Sequence, residues 1–75
     1  MKSYNIILRE LREDKEPKPT QKEVGKKCGM TQRKLSFIEN GTTEPTIDDL
    51  KALCLYYNVS ADYILGLPNL PYPQK

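Results

Sequence analysis

The sequence of 75 residues contains no histidine, only two cysteines and no long apolar run. Without histidine, the chain has no imidazole for acid–base catalysis, no Ser-His-Asp triad and few ways to hold zinc. Neither Cys28 nor Cys54 has another Cys or His at metal-ligand spacing, so we expect no metal and no cofactor. One disulfide is conceivable, but nothing indicates secretion, and two reduced thiols in apolar surroundings are favoured. These absences argue against an enzyme and favour a binding module.

Apolar stretches are too short for a membrane span or a signal peptide. A membrane helix needs about 18 or more apolar residues, whereas the apolar residues 6–8 are followed at once by Arg9 and Glu10. The same run is shorter than the core of a signal peptide, so we expect a cytoplasmic protein that contacts no membrane. A chain of 75 residues leaves room for one small domain, which buries only about 60% of its unfolded surface.

Positive charge is concentrated in the first half of the chain, although the net charge is only +2. Residues 1–40 contain ten Lys/Arg and six Asp/Glu, whereas residues 41–75 contain two and four. The bias is strongest in residues 18–34, with six basic residues and one acidic residue. Two interpretations are open: a surface that binds a polyanion, or an ordinary solvated surface with uneven charge.

Apolar residues recur at spacings of three and four, which predicts amphipathic helices and no strand. Five helices are expected, each preceded by a hydroxyl side chain that can cap it. The predicted N-caps are Ser3, Thr20, Thr31, Thr46 and Ser60. The predicted stops are Pro17, Pro19, Gly29, Asn40, Gly41, Asn58 and Gly66. The side chains expected in the core are Tyr4, Ile7, Leu8, Leu11, Val24, Cys28, Met30, Leu35, Ile38, Ile47, Leu50, Leu53, Cys54 and Tyr57.

The segment Gln21–Asn40 meets the physical requirements of a helix-turn-helix. Two short helices that cross steeply need a small residue at their contact, which Gly25 supplies, and Gly29 suits the tight turn between them. The second helix also needs long polar side chains on its outer face. Gln32, Arg33, Lys34 and Ser36 meet that need.

Two stretches of the sequence resemble the phage-repressor/Cro-type helix-turn-helix family, also called the xenobiotic-response-element family. They are TQKEVGKKCGMTQ at residues 20–32 and LSFIENG at residues 35–41, and residues 45–66 are similar to the family's fourth and fifth helices. The resemblance implies an all-α, lambda-repressor-like bundle of five helices. It also implies a transcriptional regulator, with a Cro-like repressor favoured, that binds duplex DNA as a homodimer on an inverted-repeat operator. We expect the DNA-binding domain at residues 1–66 and a proline-rich tail at residues 67–75.

In such a unit the second helix enters the major groove and the first crosses the phosphate backbone. The predicted base-contacting residues are Gln32, Arg33, Lys34 and Ser36, because glutamine suits adenine and arginine suits guanine. Gln21, Asn40 and Thr42 resemble backbone-contacting residues of the family, and Lys18 and Lys22 are their expected electrostatic neighbours. Phe37 could contact a thymine methyl or pack on the bundle, and packing is favoured. Glu23 and Glu39 are expected to act in capping or ion pairing.

The sequence also departs from the family at Gly25, where alanine is usual, and at Cys28, where leucine is common. A second hypothesis is an antitoxin-type module that neutralises a partner protein and binds DNA secondarily. Candidates for the dimer surface are Tyr56, Tyr63 and the tail, which could equally be an idle terminus. No pattern indicates a small-molecule ligand.

Overall fold

The computed structural model describes residues 2–68, and the tail from residue 69 onward, with Leu70 and Tyr72, lies outside the described part. Within that part the chain forms five α-helices and no strand, which confirms the predicted all-α class. The helices are α1 (Tyr4–Asp14), α2 (Gln21–Lys27), α3 (Gln32–Glu39), α4 (Ile47–Tyr57) and α5 (Ala61–Leu65). None of the helices described is long and apolar enough to cross a membrane.

Local capping chemistry sets the helix boundaries. The hydroxyls of Thr20 and Thr46 accept from the third amide of their helices, while Glu23 and Asp49 reach back to complete two capping boxes. The hydroxyls of Thr31 and Ser60 cap α3 and α5 in the same way. At the other ends of α4 and α5, Asn58 and Gly66 adopt the left-handed conformation with φ of 56° and 70°.

Ser3 departs from this pattern at the start of α1. It occupies the N-cap position, but its side chain accepts no hydrogen bond from a helix amide. Its hydroxyl instead donates to the side-chain oxygen of Asn5, two residues further on. A nearby carboxamide competes with the helix amides for a short hydroxyl side chain, so the predicted cap is present in position only.

The core lies where all five helices meet. Its buried side chains come from every helix and from the turn before α3: Leu8, Val24, Met30, Leu35, Ile38, Leu53 and Ile64. Cys28 and Cys54 are half-buried free thiols beside this core, and burial raises the pKa of both above the usual value of 9.0. The two thiols therefore stay neutral at physiological pH and act as apolar groups.

One predicted core residue is not in the core. Ile47, the first residue of α4, is 79% exposed, and Leu55 on the same helix is 82% exposed. Positions 47, 51, 54 and 55 lie on one side of a helix with 3.6 residues per turn, whereas Leu53 faces the core. The apolar spacing is therefore correct for a helix but extends over two faces, of which one is left uncovered within residues 2–68.

The contact between α2 and α3 is unusually close. The amide of Met30 donates to the carbonyl of Gly25 at 2.8 Å. A Cβ at Gly25 would lie 2.8 Å from the Met30 carbonyl oxygen and 3.3 Å from that of Thr31. Gly29 has φ of 74°, which glycine adopts without strain. Both predicted roles of the two glycines are therefore confirmed.

Candidate nucleic-acid interface

The outer face of α3 carries a set of polar side chains around one aromatic ring. Leu35 and Ile38 turn inward, so the residues between and before them face solvent. Gln32 and Arg33 are exposed in the first turn, whereas Lys34 and Ser36 are half-buried. The helix is thus anchored on one side and presents long side chains on the other, as a helix that enters a DNA groove must.

Phe37 belongs to this outer face and not to the core. Phe37 is 36% exposed, so it is partly covered and partly open to solvent, and the favoured prediction of packing on the bundle stays a prediction. Position 37 is one turn after Arg33 on the same face, and the Arg33 guanidinium carbon lies 5.4 Å from the ring centroid, within cation–π range. Arg33, which is predicted to contact bases, therefore makes a cation–π contact with Phe37.

Lys34 differs from Arg33, because its charge is held within the protein. Its ammonium lies 3.0 Å from Oδ2 of Asp49, the residue that completes the capping box of α4. Burial acts to raise the pKa of Asp49, but hydrogen bonds from Lys34 and Thr46 outweigh it, and the pKa lies below the usual 3.8. Because an ammonium has three N–H donors, this ion pair leaves Lys34 further donors for a contact outside the protein.

A buried carboxylate ties the start of α2 to the neighbouring helices. Glu39 is 2% exposed. Its carboxylate accepts from Nε of Arg12 at 3.0 Å and from Nε2 of Gln21 at 3.0 Å. Nη2 of Arg9 donates to the backbone carbonyl of Glu39 at 3.0 Å. The hydrogen bond with Glu39 raises the pKa of Arg12, which stays charged. The ion-pair prediction for Glu39 is confirmed.

The hydrogen bond to Glu39 orients the Gln21 side chain and leaves part of its carboxamide available to a ligand. Its carboxamide gives one N–H to Glu39 and keeps a second N–H and an oxygen. An open depression of about 410 Å³ borders Gln21 and is lined also by Arg12, Lys18, Pro19, Thr20 and Gln32. The fold therefore brings Lys18 and Gln21, predicted for the backbone, next to Gln32, predicted for bases.

The remaining predicted residues lie at the edges of this surface. Lys22 is exposed on the first turn of α2. Asn40 and Thr42 are exposed in the turn after α3, where the Asn40 side-chain oxygen accepts from the Thr42 amide at 3.0 Å. Asn40 thus shapes the turn in which both residues are exposed. Within residues 2–68, no group of Cys, Asp and Glu side chains could hold a metal ion.

Comparison with known proteins agrees with this geometry. Residues 8–64 match the family described as Helix-turn-helix. The chain belongs to the helix-turn-helix family. The chain is also 37% identical over 71 residues to the uncharacterized HTH-type transcriptional regulator YobD of Bacillus subtilis (strain 168). That alignment covers 95% of this chain but only 62% of the relative.

A solved structure supports the same assignment to the helix-turn-helix family. The P22 c2 repressor protein, in complex with synthetic operator 9T in the presence of Tl⁺, superposes with a TM-score of 0.79 and 29% sequence identity. The match covers 87% of this chain and 96% of that chain. This helix-turn-helix protein therefore shares its five-helix, repressor-like fold with a protein that was solved on its operator.

Sequence reasoning missed three residues that support the surface of this helix-turn-helix protein: Arg9, Arg12 and Asp49. Arg12 and Glu39 are 27 positions apart, and Arg9 and Glu39 are 30 apart. No local spacing connects such pairs. Asp49 completes the capping box of α4, but nothing in the sequence pairs it with Lys34.

Proposed function

We propose that this protein binds duplex DNA sequence-specifically and regulates transcription as a Cro-like repressor, with α3 in the major groove. The observation that carries the proposal is the outer face of α3, where Gln32 and Arg33 are exposed and Gln32 borders the same depression as Gln21 and Lys18. The excess of basic residues in residues 18–34 supports attraction to phosphates. The kinship with a transcriptional regulator and with an operator-bound repressor points the same way.

The residues divide by what they contact. Gln32 pairs with adenine and Arg33 with guanine, because their side chains fit the donor and acceptor patterns of those bases. Ser36 and Lys34 are further base contacts, and Lys34 has donors besides the one that faces Asp49. The phosphate backbone is bound by side chains around α2 and after α3. These are Lys18, Gln21, Lys22, Asn40 and Thr42.

A homodimer on an inverted repeat completes the proposal. An apolar groove of about 480 Å³ lies between α4 and α5, and its rim carries the highly exposed Ile47 and Leu55. Leu50, Val59 and Ala61 continue this groove, which we call the α4–α5 groove. A second copy can cover it by two-fold symmetry, and the half-site centres then lie about 34–36 Å apart.

The earlier candidates for the dimer surface fit less well. Tyr56 is half-buried, with its ring at 4.9 Å from that of Tyr57 and under the Lys15 ammonium at 5.3 Å. Tyr63 is exposed and stays available. The tail beyond residue 68 lies outside the described residues.

The test begins with selection of bound sequences from random duplex DNA, which yields the site and its symmetry. On that site Arg33→Ala should cost about 1–3 kcal/mol and remove the preference at one base pair. Lys22→Ala is the matched control on the neighbouring helix. It should weaken selected and scrambled duplexes by the same factor and lower the slope of log K against log salt by about 1.

The outcomes separate the two roles. A loss on both duplexes by the same factor for Arg33→Ala, with base preferences unchanged, contradicts the assignment of α3 as the reading helix. Failure to enrich any sequence contradicts the function itself. Enrichment of single half-sites bound by monomers contradicts the dimer alone.

A further inference from the structure

Phe37 is the one large apolar side chain that the described part of α3 exposes. Leu35 and Ile38 on the same helix are 1% and 0% exposed, whereas Phe37 is 36% exposed. Its backbone carbonyl accepts from the amides of Thr42 at 2.9 Å and Thr43 at 3.2 Å, so the turn after α3 fixes the chain at this position. The backbone of Phe37 is therefore held in place by the turn after α3.

The contact with Arg33 gives the ring an orientation. The guanidinium carbon lies 5.4 Å from the ring centroid, and no ion pair within residues 2–68 holds Arg33, in contrast to Lys34 and Asp49. Arg33 therefore lies over the ring of Phe37, of which about a third is open to solvent. The part of the ring that is open to solvent lies on the same face as the residues proposed to contact bases.

Duplex DNA offers an apolar partner at one kind of base. Among the groups that the major groove displays, the C5-methyl of thymine is the apolar one, and phenylalanine is among the side chains that contact it. Positions 33 and 37 are separated by about 6 Å along the helix axis, at 1.5 Å per residue. That distance corresponds to about two base pairs at 3.4 Å each.

We propose that Phe37 determines specificity by contacting a thymine methyl within about two base pairs of the guanine bound by Arg33. This inference rests on the proposed function and adds an apolar contact to the hydrogen bonds assigned above. The ring has a second role, because it also orients the Arg33 guanidinium in the DNA-free protein. Arg33 and Phe37 then read one guanine and one thymine as a unit.

Replacing single thymines of the selected site with deoxyuridine tests the inference, because this change removes only the methyl group. At one thymine in each half-site, deoxyuridine should weaken binding of the unaltered protein about fourfold, the value of one buried methyl-sized group. Phe37→Ala should bind the thymine and deoxyuridine duplexes equally at that position. Phe37→Leu should keep part of the penalty, because leucine still offers an apolar surface, but should weaken the guanine preference of Arg33.

Ile6→Ala is the matched control, since Ile6 is an exposed apolar residue on α1, 42% exposed, with no place in the proposed surface. It should leave the deoxyuridine penalty unchanged. If Phe37→Ala and Phe37→Leu both show the full penalty at every thymine, the inference is overturned while the function stands. If no duplex is enriched or bound, both the function and the inference fail.

Discussion

At the scale of single residues, two buried polar groups differ in their hydrogen bonding: the Glu39 carboxylate has partners, and the Tyr57 hydroxyl has none among the residues that the structure describes. The Glu39 carboxylate accepts from Arg12 and Gln21, so its burial is compensated. The Tyr57 hydroxyl is also buried but has no hydrogen-bond partner among the residues that the structure describes. Burial of this hydroxyl raises the pKa of Tyr57 well above the usual 10.0. A buried hydroxyl without a partner costs free energy of about 1–3 kcal/mol.

Tyr57→Phe should therefore raise the free energy of unfolding, by about 1 kcal/mol. The substitution removes the uncompensated hydroxyl and keeps the ring that packs against Tyr56. Urea unfolding followed by circular dichroism measures the change. Tyr63→Phe is the control, because Tyr63 is exposed and its hydroxyl is hydrated. A lower stability for Tyr57→Phe would mean that the hydroxyl has a partner in solution.

At the scale of elements, the contact between α2 and the turn before α3 positions α3, the proposed recognition helix. Glycine costs a helix about 1 kcal/mol relative to alanine, so Gly25 weakens α2 by itself. The approach of the Met30 and Thr31 carbonyls to this position leaves no room for a methyl group. The tertiary contact therefore outweighs helix propensity, and α2 approaches the turn before α3 more closely than an alanine would permit.

Gly25→Ala should destabilise the protein by about 1 kcal/mol, although alanine favours the helix. A methyl group in a filled contact costs about 1–3 kcal/mol, and the gain in propensity offsets only about 1 kcal/mol of this. Thermal unfolding gives the sign directly. Lys26→Ala, at the next and exposed position of α2, should change stability by less than about 0.5 kcal/mol. An increase in stability for Gly25→Ala would show that the turn relaxes at no cost.

At the scale of the whole molecule, two surfaces stand out within residues 2–68. One is polar and basic, around α3 and the start of α2. The other is the α4–α5 groove, which is apolar and has Leu55 on its rim. A monomer this small that exposes large aliphatic side chains side by side has an apolar surface suited to a protein contact. Under the proposed function, DNA binds to the first surface and a second copy of the chain covers the α4–α5 groove.

Leu55→Glu should convert the proposed dimer into a monomer without unfolding it. A two-fold interface contains Leu55 twice, so its loss should weaken dimerisation by at least about 100-fold. Sedimentation equilibrium at several concentrations measures this, and affinity for the full inverted repeat should fall toward that for a half-site. Ile6→Glu places the same charge on an exposed apolar position of α1 and should leave the dimer intact. Dimers that survive Leu55→Glu would exclude this groove as the interface.

Much of the fold could be predicted from the sequence because its signals are local. A capping hydroxyl and its partner amide are three residues apart, and the left-handed residues Asn58 and Gly66 end their helices by their own backbone preferences. The five helices and the turn at Gly29 follow from such rules. The positions of Gln32 and Arg33 on the outer face follow from helical periodicity once Leu35 and Ile38 face the core.

Only the tertiary structure decided which charged side chains form ion pairs and which apolar side chains stay exposed. The pairing of Glu39 with Arg12, and of Lys34 with Asp49, joins residues that no local spacing relates. Ile47 fits the apolar spacing of α4 but faces outward with 79% exposure, and Phe37 on α3 is 36% exposed. The physical reason is that burial depends on which neighbour covers a face. Apolar residues spaced three and four apart indicate a helix and its apolar positions. Which of those positions become buried is decided by the packing of all five helices together.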